Sequence, residues 1–255
     1  MRNLAGSAAW GAAVAASLGL GATAAAFLRV PEQIAARLTA FGGGILLAAV
    51  ALELVPQADV QAGAWLTAAG LLGGTVIYVW ADVWLTRDRS MRTHRRRAHA
   101  AAAGRTMAAQ GDQDEAARGE AIAAGLFIDG VPESLALGLT IADGQVGLAL
   151  LAGILVGNLV EAYGAAHPII QGGHPRRFAI GLLAGIGVAL AGATILGGTL
   201  LADASGAVVG TAQAVASGAV LAVVSISIIP YAFGEVNTRV AFAATAGFVA
   251  GYLLS

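Results

Sequence analysis

The chain has 255 residues, 58% of them hydrophobic and only 11% charged, where a soluble domain carries about 25% charged residues. That balance excludes an ordinary soluble domain and points to an all-α polytopic membrane protein. A net charge of -1 gives no reason to expect a nucleic-acid partner. The absence of cysteine excludes disulfides, thiolate metal sites and cysteine nucleophiles, so any metal must be held by oxygen or imidazole.

A bilayer crossing takes about 20 apolar residues, and eight segments qualify: 6–28, 36–55, 64–85, 119–141, 146–166, 178–201, 207–230 and 236–254. The first has signal-peptide features in Arg2, an apolar run and small residues, yet it is long enough to span and is expected to stay as the first transmembrane helix. Helices 1–3 then occupy 1–85, a charged linker 86–118, and helices 4–8 the remainder, 119–255, in one integral membrane domain. The linker carries His94 and His99. It reads as a flexible loop whose arginines lie near anionic headgroups rather than as a metal sensor. Lysine is absent, and every arginine but Arg2 lies in the loops after spans 1, 3, 5 and 7 or within a few residues of them. The opposite loops hold Asp59, Asp143 and Asp203 and no arginine. The positive-inside rule therefore places both termini outside and 86–118 in the cytoplasm, in a cell inner (plasma) membrane.

Two segments echo each other. GILLAAVALELVP, Gly44 to Pro56, and GAVLAVVSISIIP, Gly218 to Pro230, share glycine and proline at their ends. They fall in spans 2 and 7, which run in opposite directions. This predicts a 3+2+3 inverted repeat, spans 1–3 against 6–8 with spans 4 and 5 between, an arrangement in which transporters place their site near the midplane. Spans 4 and 5 also match, as Asp129-Gly-Val-Pro-Glu133 and Gly157-Asn-Leu-Val-Glu161.

Charges at the bilayer centre cost from about 2.5 to above 10 kcal/mol unless they pair, bind or line water. Asp129 and Glu133, at i and i+4, project from one helix face, and a cation between them would relieve both repulsion and desolvation. Pro132 frees the carbonyl of Ile128, which also needs a partner at that depth. Asn158 and Glu161 share a face of span 5. The four side chains form an oxygen-rich candidate metal site. Glu53, Ser227 and His167 are entrance or accessory residues; Glu53 and Asp82 lie near the ends of their spans, and His167, six residues past Glu161, points elsewhere. Ser134 has no histidine or lysine in the membrane core to activate it, so no enzyme is expected.

These residues resemble the ZIP (Zrt/Irt-like protein) family of divalent metal transporters. The resemblance covers the eight spans, the long cytoplasmic loop after span 3, the paired motifs of spans 4 and 5, and FGGGILLAAVALELVPQA in span 2. In that family span 4 carries His-Asn-x-Pro-Glu and span 5 a related His/Gln-Asn/Asp-x-x-Glu. Asp129 stands in place of the span-4 histidine; Glu133, Asn158 and Glu161 match their counterparts. Gly130 replaces the usual asparagine and Gly157 the usual His or Gln. The resemblance implies a depleted centre, one site from Asp129, Glu133 and Glu161 with Asn158, and movement of metal into the cytoplasm by an elevator-like displacement of spans 1, 4, 5 and 6.

Zinc favours imidazole and thiolate, whereas carboxylate sets suit harder ions. The loss of both histidines therefore predicts Mn²⁺, Fe²⁺ or Mg²⁺ transport beside Zn²⁺, with the divalent cation as substrate and no permanently bound cofactor. Two other readings compete: a proton-coupled transporter of another solute, and a non-transporting metal sensor or assembly protein. For the latter, Gly181, Gly185 and Gly192 in span 6 allow close helix packing and a homodimer.

Overall fold

A computed structural model describes residues 2–85, 112–144, 146–201 and 204–255. Linker residues 86–111, with His94 and His99, and Asp203 lie outside the described residues. All regular structure among the described residues is helical: α1 (Arg2–Phe27), α2 (Glu32–Ala48), a π-helical segment (Ala49–Leu54), α3 (Val55–Ala62), α4 (Ala64–Leu85), α5 (Asp112–Ala142), α6 (Leu148–Gln171), α7 (Arg176–Leu200), α8 (Gly206–Val223), a second π-helical segment (Val224–Ile228), α9 (Ile229–Val236), a 3-10 turn (Asn237–Arg239) and α10 (Val240–Leu254).

Seven helical stretches among these residues are long and apolar enough to cross a membrane. The last, Gly206–Leu254, folds back on itself. Gly210 lies beside Ala58 and Gln61, Val236 clusters with Ala36 and Ala40, and Gly251 returns beside Ile45 and Ala48. The reversal sits at Asn237, whose φ of 53° is a conformation asparagine tolerates better than most residues.

Several element boundaries depart from the sequence reading. Spans 2 and 7 were expected to end at 55 and 230, at Pro56 and Pro230. Their helices instead run on to Ala62 and Val236. Each proline sits in the first turn of a new α-helix directly after a π segment. A proline has no N–H to donate and normally breaks an α-helix, but the widened π turn absorbs the misfit, so the chain continues. The helix expected to begin at 119 begins at Asp112, which makes 112–118 helical, and the one expected over 236–254 begins at Val240 after the 3-10 turn.

The helices form two packing groups. In one, α1 runs antiparallel along α7, and α5 lies against both α6 and α7 while α1 also contacts α6. In the other, α10 packs on α2, and α8 packs on α4 and α3. The groups meet chiefly where α2 lies on α6 and α5 on α8. Tyr163 ties the α1–α2 connection to α6: its hydroxyl accepts the Val30 N–H (2.8 Å) and donates to the Leu28 carbonyl (3.3 Å).

Two helix crossings in the second group are built alike. Gly44 abuts the carbonyl of Ala244 and Gly247 that of Phe41; Gly218 abuts the carbonyl of Leu71 and Gly74 that of Val215. At all four glycines a methyl group would run into the facing backbone. Helix boundaries recur with equal spacing: Arg2 and Arg176, Glu32 and Gly206, and Ala62 and Val236 are each 174 residues apart. The outer faces are apolar. Trp65 is 90% exposed, and Leu72, Val76, Ile77, Trp80 and Trp84 follow it along α4, a surface that suits lipid and not water.

Candidate functional site

Asp129 and Glu133 lie one turn apart on α5, and the helix passes through Pro132 without breaking. Both acids are buried, at 6% and 5% exposure. Asn158 on α6 is equally enclosed at 2%, and its amide nitrogen has no hydrogen-bond partner among the described residues. Glu161, one turn further along α6, is partly buried. Helices α5 and α6 pack directly on each other, and Glu133 lies in the field of both Glu161 and Asp129. The packing thus brings acids from two neighbouring helices within electrostatic reach of one another. Among the described residues, no three His, Asp or Glu side chains converge closely enough to hold a metal ion.

A tyrosine explains part of that arrangement. The hydroxyl of Tyr78, 2% exposed, donates to the Asp129 carboxylate. Tyr78 belongs to α4, where Thr67, Gly70, Gly74 and Tyr78 form the buried stripe. Sequence reasoning missed it. Its signal is that stripe, in which two glycines precede a tyrosine at four-residue steps and mark the face turned inward.

Gly130 and Gly157 differ in surroundings. A Cβ at Gly130 would press on the Leu190 side chain of α7, whereas a Cβ at Gly157 would meet nothing within 4 Å. Ser134 is fully buried and its hydroxyl has no partner among the described residues.

The accessory residues sit on three different elements. Glu53, on the first π segment, accepts the Ala149 N–H at 3.3 Å and so caps the N-terminus of α6, where a negative charge is favoured. Its other oxygen lies against Gly147 and has no hydrogen-bond partner among the described residues. Ala149 and Asn158 are separated by about 14 Å of helix at 1.5 Å per residue, so Glu53 stands well away from the central acids. Ser227 lies buried on the second π segment. His167 meets Tyr163 edge to face, with ring centroids 5.7 Å apart.

At the Glu53 end of the bundle, Gln213, fully buried, donates to Gln57 (2.7 Å), and Gln61 donates to Asp143 of the α5–α6 connection. Sequence reasoning had not connected these residues. Neither a family model nor a curated protein matches this chain.

Proposed function

We propose that the protein is a ZIP-like secondary transporter that moves divalent metal cations into the cytoplasm through a carboxylate site between α5 and α6. The observation that carries this reading is Glu133: it is buried on a helix that packs along α6 and lies in the field of Glu161 and Asp129. Acids of two adjacent helices within electrostatic reach of one another inside an apolar bundle call for positive charge, and a divalent cation supplies it. Asn158 adds a carbonyl oxygen of the kind hard cations accept.

Three observations support a 3+2+3 inverted repeat with eight crossings, in which α1 to α4 correspond to α7 to α10. They are the 174-residue spacing of helix boundaries, the π segment before each of Pro56 and Pro230, and the matched glycine crossings. Such a repeat places a substrate site between its halves, where α5 and α6 run. The oxygen-only donor set favours Mn²⁺, Fe²⁺ or Mg²⁺ alongside Zn²⁺.

Purified protein in liposomes tests the proposal. Uptake of one or more of Zn²⁺, Mn²⁺, Fe²⁺ and Mg²⁺ is expected, and Asp129→Ala combined with Glu133→Ala should reduce it to the leak of protein-free vesicles. No divalent flux across the panel, or full flux in the double variant, would overturn it. That no three acidic or imidazole groups converge among the described residues favours a second reading, a proton-coupled carrier of another solute. Proton flux indifferent to divalent cations would select that reading.

A further inference from the structure

Helices α1 and α7 run antiparallel, with Gly11 against Ala191 and Gly187 against Ala15, so the end of α1 meets the start of α7. Three arginines belong to this corner: Arg29 on the α1–α2 connection, and Arg176 and Arg177 in the first turn of α7. All three are exposed, and none has an ion pair among the described residues. Glu120 of α5 lies beside His174 (3.7 Å) instead. The first turn of α7 holds no acid to offset the charge, and the start of a helix is the end that disfavours cations. The corner is nonetheless fixed in shape. The Tyr163 hydroxyl bonds to the backbone on either side of Arg29, at the Leu28 carbonyl and the Val30 N–H. The Arg176 guanidinium lies over the Phe27 ring, 5.4 Å from its centroid. Phe27 and Leu28, 70% and 58% exposed, carry the apolar outer surface up to the arginines.

We propose that this corner binds an anionic phospholipid of the surrounding bilayer, its phosphate held by Arg29 and Arg176 and an acyl chain lying along Phe27 and Leu28. A guanidinium presents paired N–H groups that match two phosphate oxygens, and here it has no carboxylate to satisfy it. Exposed basic groups between transmembrane helices, at the level where those helices end, are the setting in which lipid headgroups are recognised. A free anion would answer the arginines and leave Phe27 and Leu28 bare, whereas a lipid covers both. Its phosphate would also join the α1–α2 connection to the start of α7. The inference goes beyond the transporter reading and holds whatever solute the protein carries.

The experiment titrates the full-length purified protein in detergent with phosphatidylglycerol or with phosphatidylcholine of the same acyl chains. Retained lipid is counted by native mass spectrometry, and thermal unfolding is read in parallel. Wild type is expected to retain phosphatidylglycerol in preference to phosphatidylcholine and to unfold at a higher temperature with it. Arg29→Gln combined with Arg176→Gln should weaken phosphatidylglycerol binding about thirtyfold. Arg37→Gln combined with Arg239→Gln removes two equally exposed arginines elsewhere and should leave it unchanged. Should the first pair fail to insert, Arg29→Lys with Arg176→Lys keeps the charge, loses the paired N–H geometry and should still weaken binding about threefold. Equal retention of the two lipids by wild type, equal losses in the two glutamine pairs, or unchanged binding in the lysine pair overturns the inference. So does stabilisation by inorganic phosphate alone to the same extent, which would make the ligand a free anion and not a lipid.

Discussion

Buried carboxylates meet three different environments in this molecule. Glu53 accepts a backbone N–H at the start of α6, so its charge faces the favourable end of a helix. Asp129 takes the Tyr78 hydroxyl. Glu133 lies in the field of two other acids, and that is why the cation reading centres on it. The neighbouring glycines give this reading a further test. Gly157 borders open space, so Gly157→His should fold like wild type, and imidazole beside Asn158 should raise the ratio of Zn²⁺ to Mn²⁺ uptake by about tenfold. Gly130→Asn meets Leu190 and should instead lower stability by about 1–3 kcal/mol. Competition uptake and thermal unfolding in detergent measure the two effects. An unchanged metal ratio in a well-folded Gly157→His would separate that position from the site.

Among the elements, the two broken helices carry the most information. Each runs 31 residues, Glu32–Ala62 and Gly206–Val236, and each holds a π segment followed by proline. In each case the widened turn lets the helix outlast its proline and carries polar residues toward the bundle end: Gln57 and Gln61 after the first, Tyr231 and Glu235 after the second. The glycines at the start of the matched segments make equivalent backbone contacts, Gly44 with Ala244 and Gly218 with Leu71. If the two crossings are equivalent, Gly44→Val and Gly218→Val should lower stability by similar amounts, each about 1–3 kcal/mol or more. Gly73→Val, which meets nothing within 4 Å, should leave stability near wild type. Thermal unfolding of the three variants is the measurement, and a large inequality between the first two would argue that the crossings differ.

For the molecule as a whole, the number of crossings and their direction are open to a clean test, because the chain has no cysteine. Asp143→Cys and Ser255→Cys should react with an impermeant maleimide from outside intact cells, and Gly173→Cys and Thr238→Cys only after permeabilisation. Labelling of Thr238→Cys and Ser255→Cys from the same side would mean that α10 does not cross. Much of this architecture is written in the chain. Long apolar runs fix where helices form, because an unpaired peptide group in lipid is so costly that a crossing segment must close its own hydrogen bonds. The paired motifs marked Asp129, Glu133, Asn158 and Glu161 because an acid inside an apolar run stands out whatever surrounds it. Local sequence could not reveal what depends on distant neighbours. Spans 2 and 7 run past 55 and 230, since whether a helix survives a proline depends on the turn before it and on what packs there. Glu53 read as a mouth residue because its partner, the Ala149 N–H, lies 96 residues away in sequence. Tyr78 carries no charge to set it apart from the oily span around it. Its hydroxyl acquires a role only when α4 comes within a tyrosine's reach of Asp129 on α5, a distance that only packing can set.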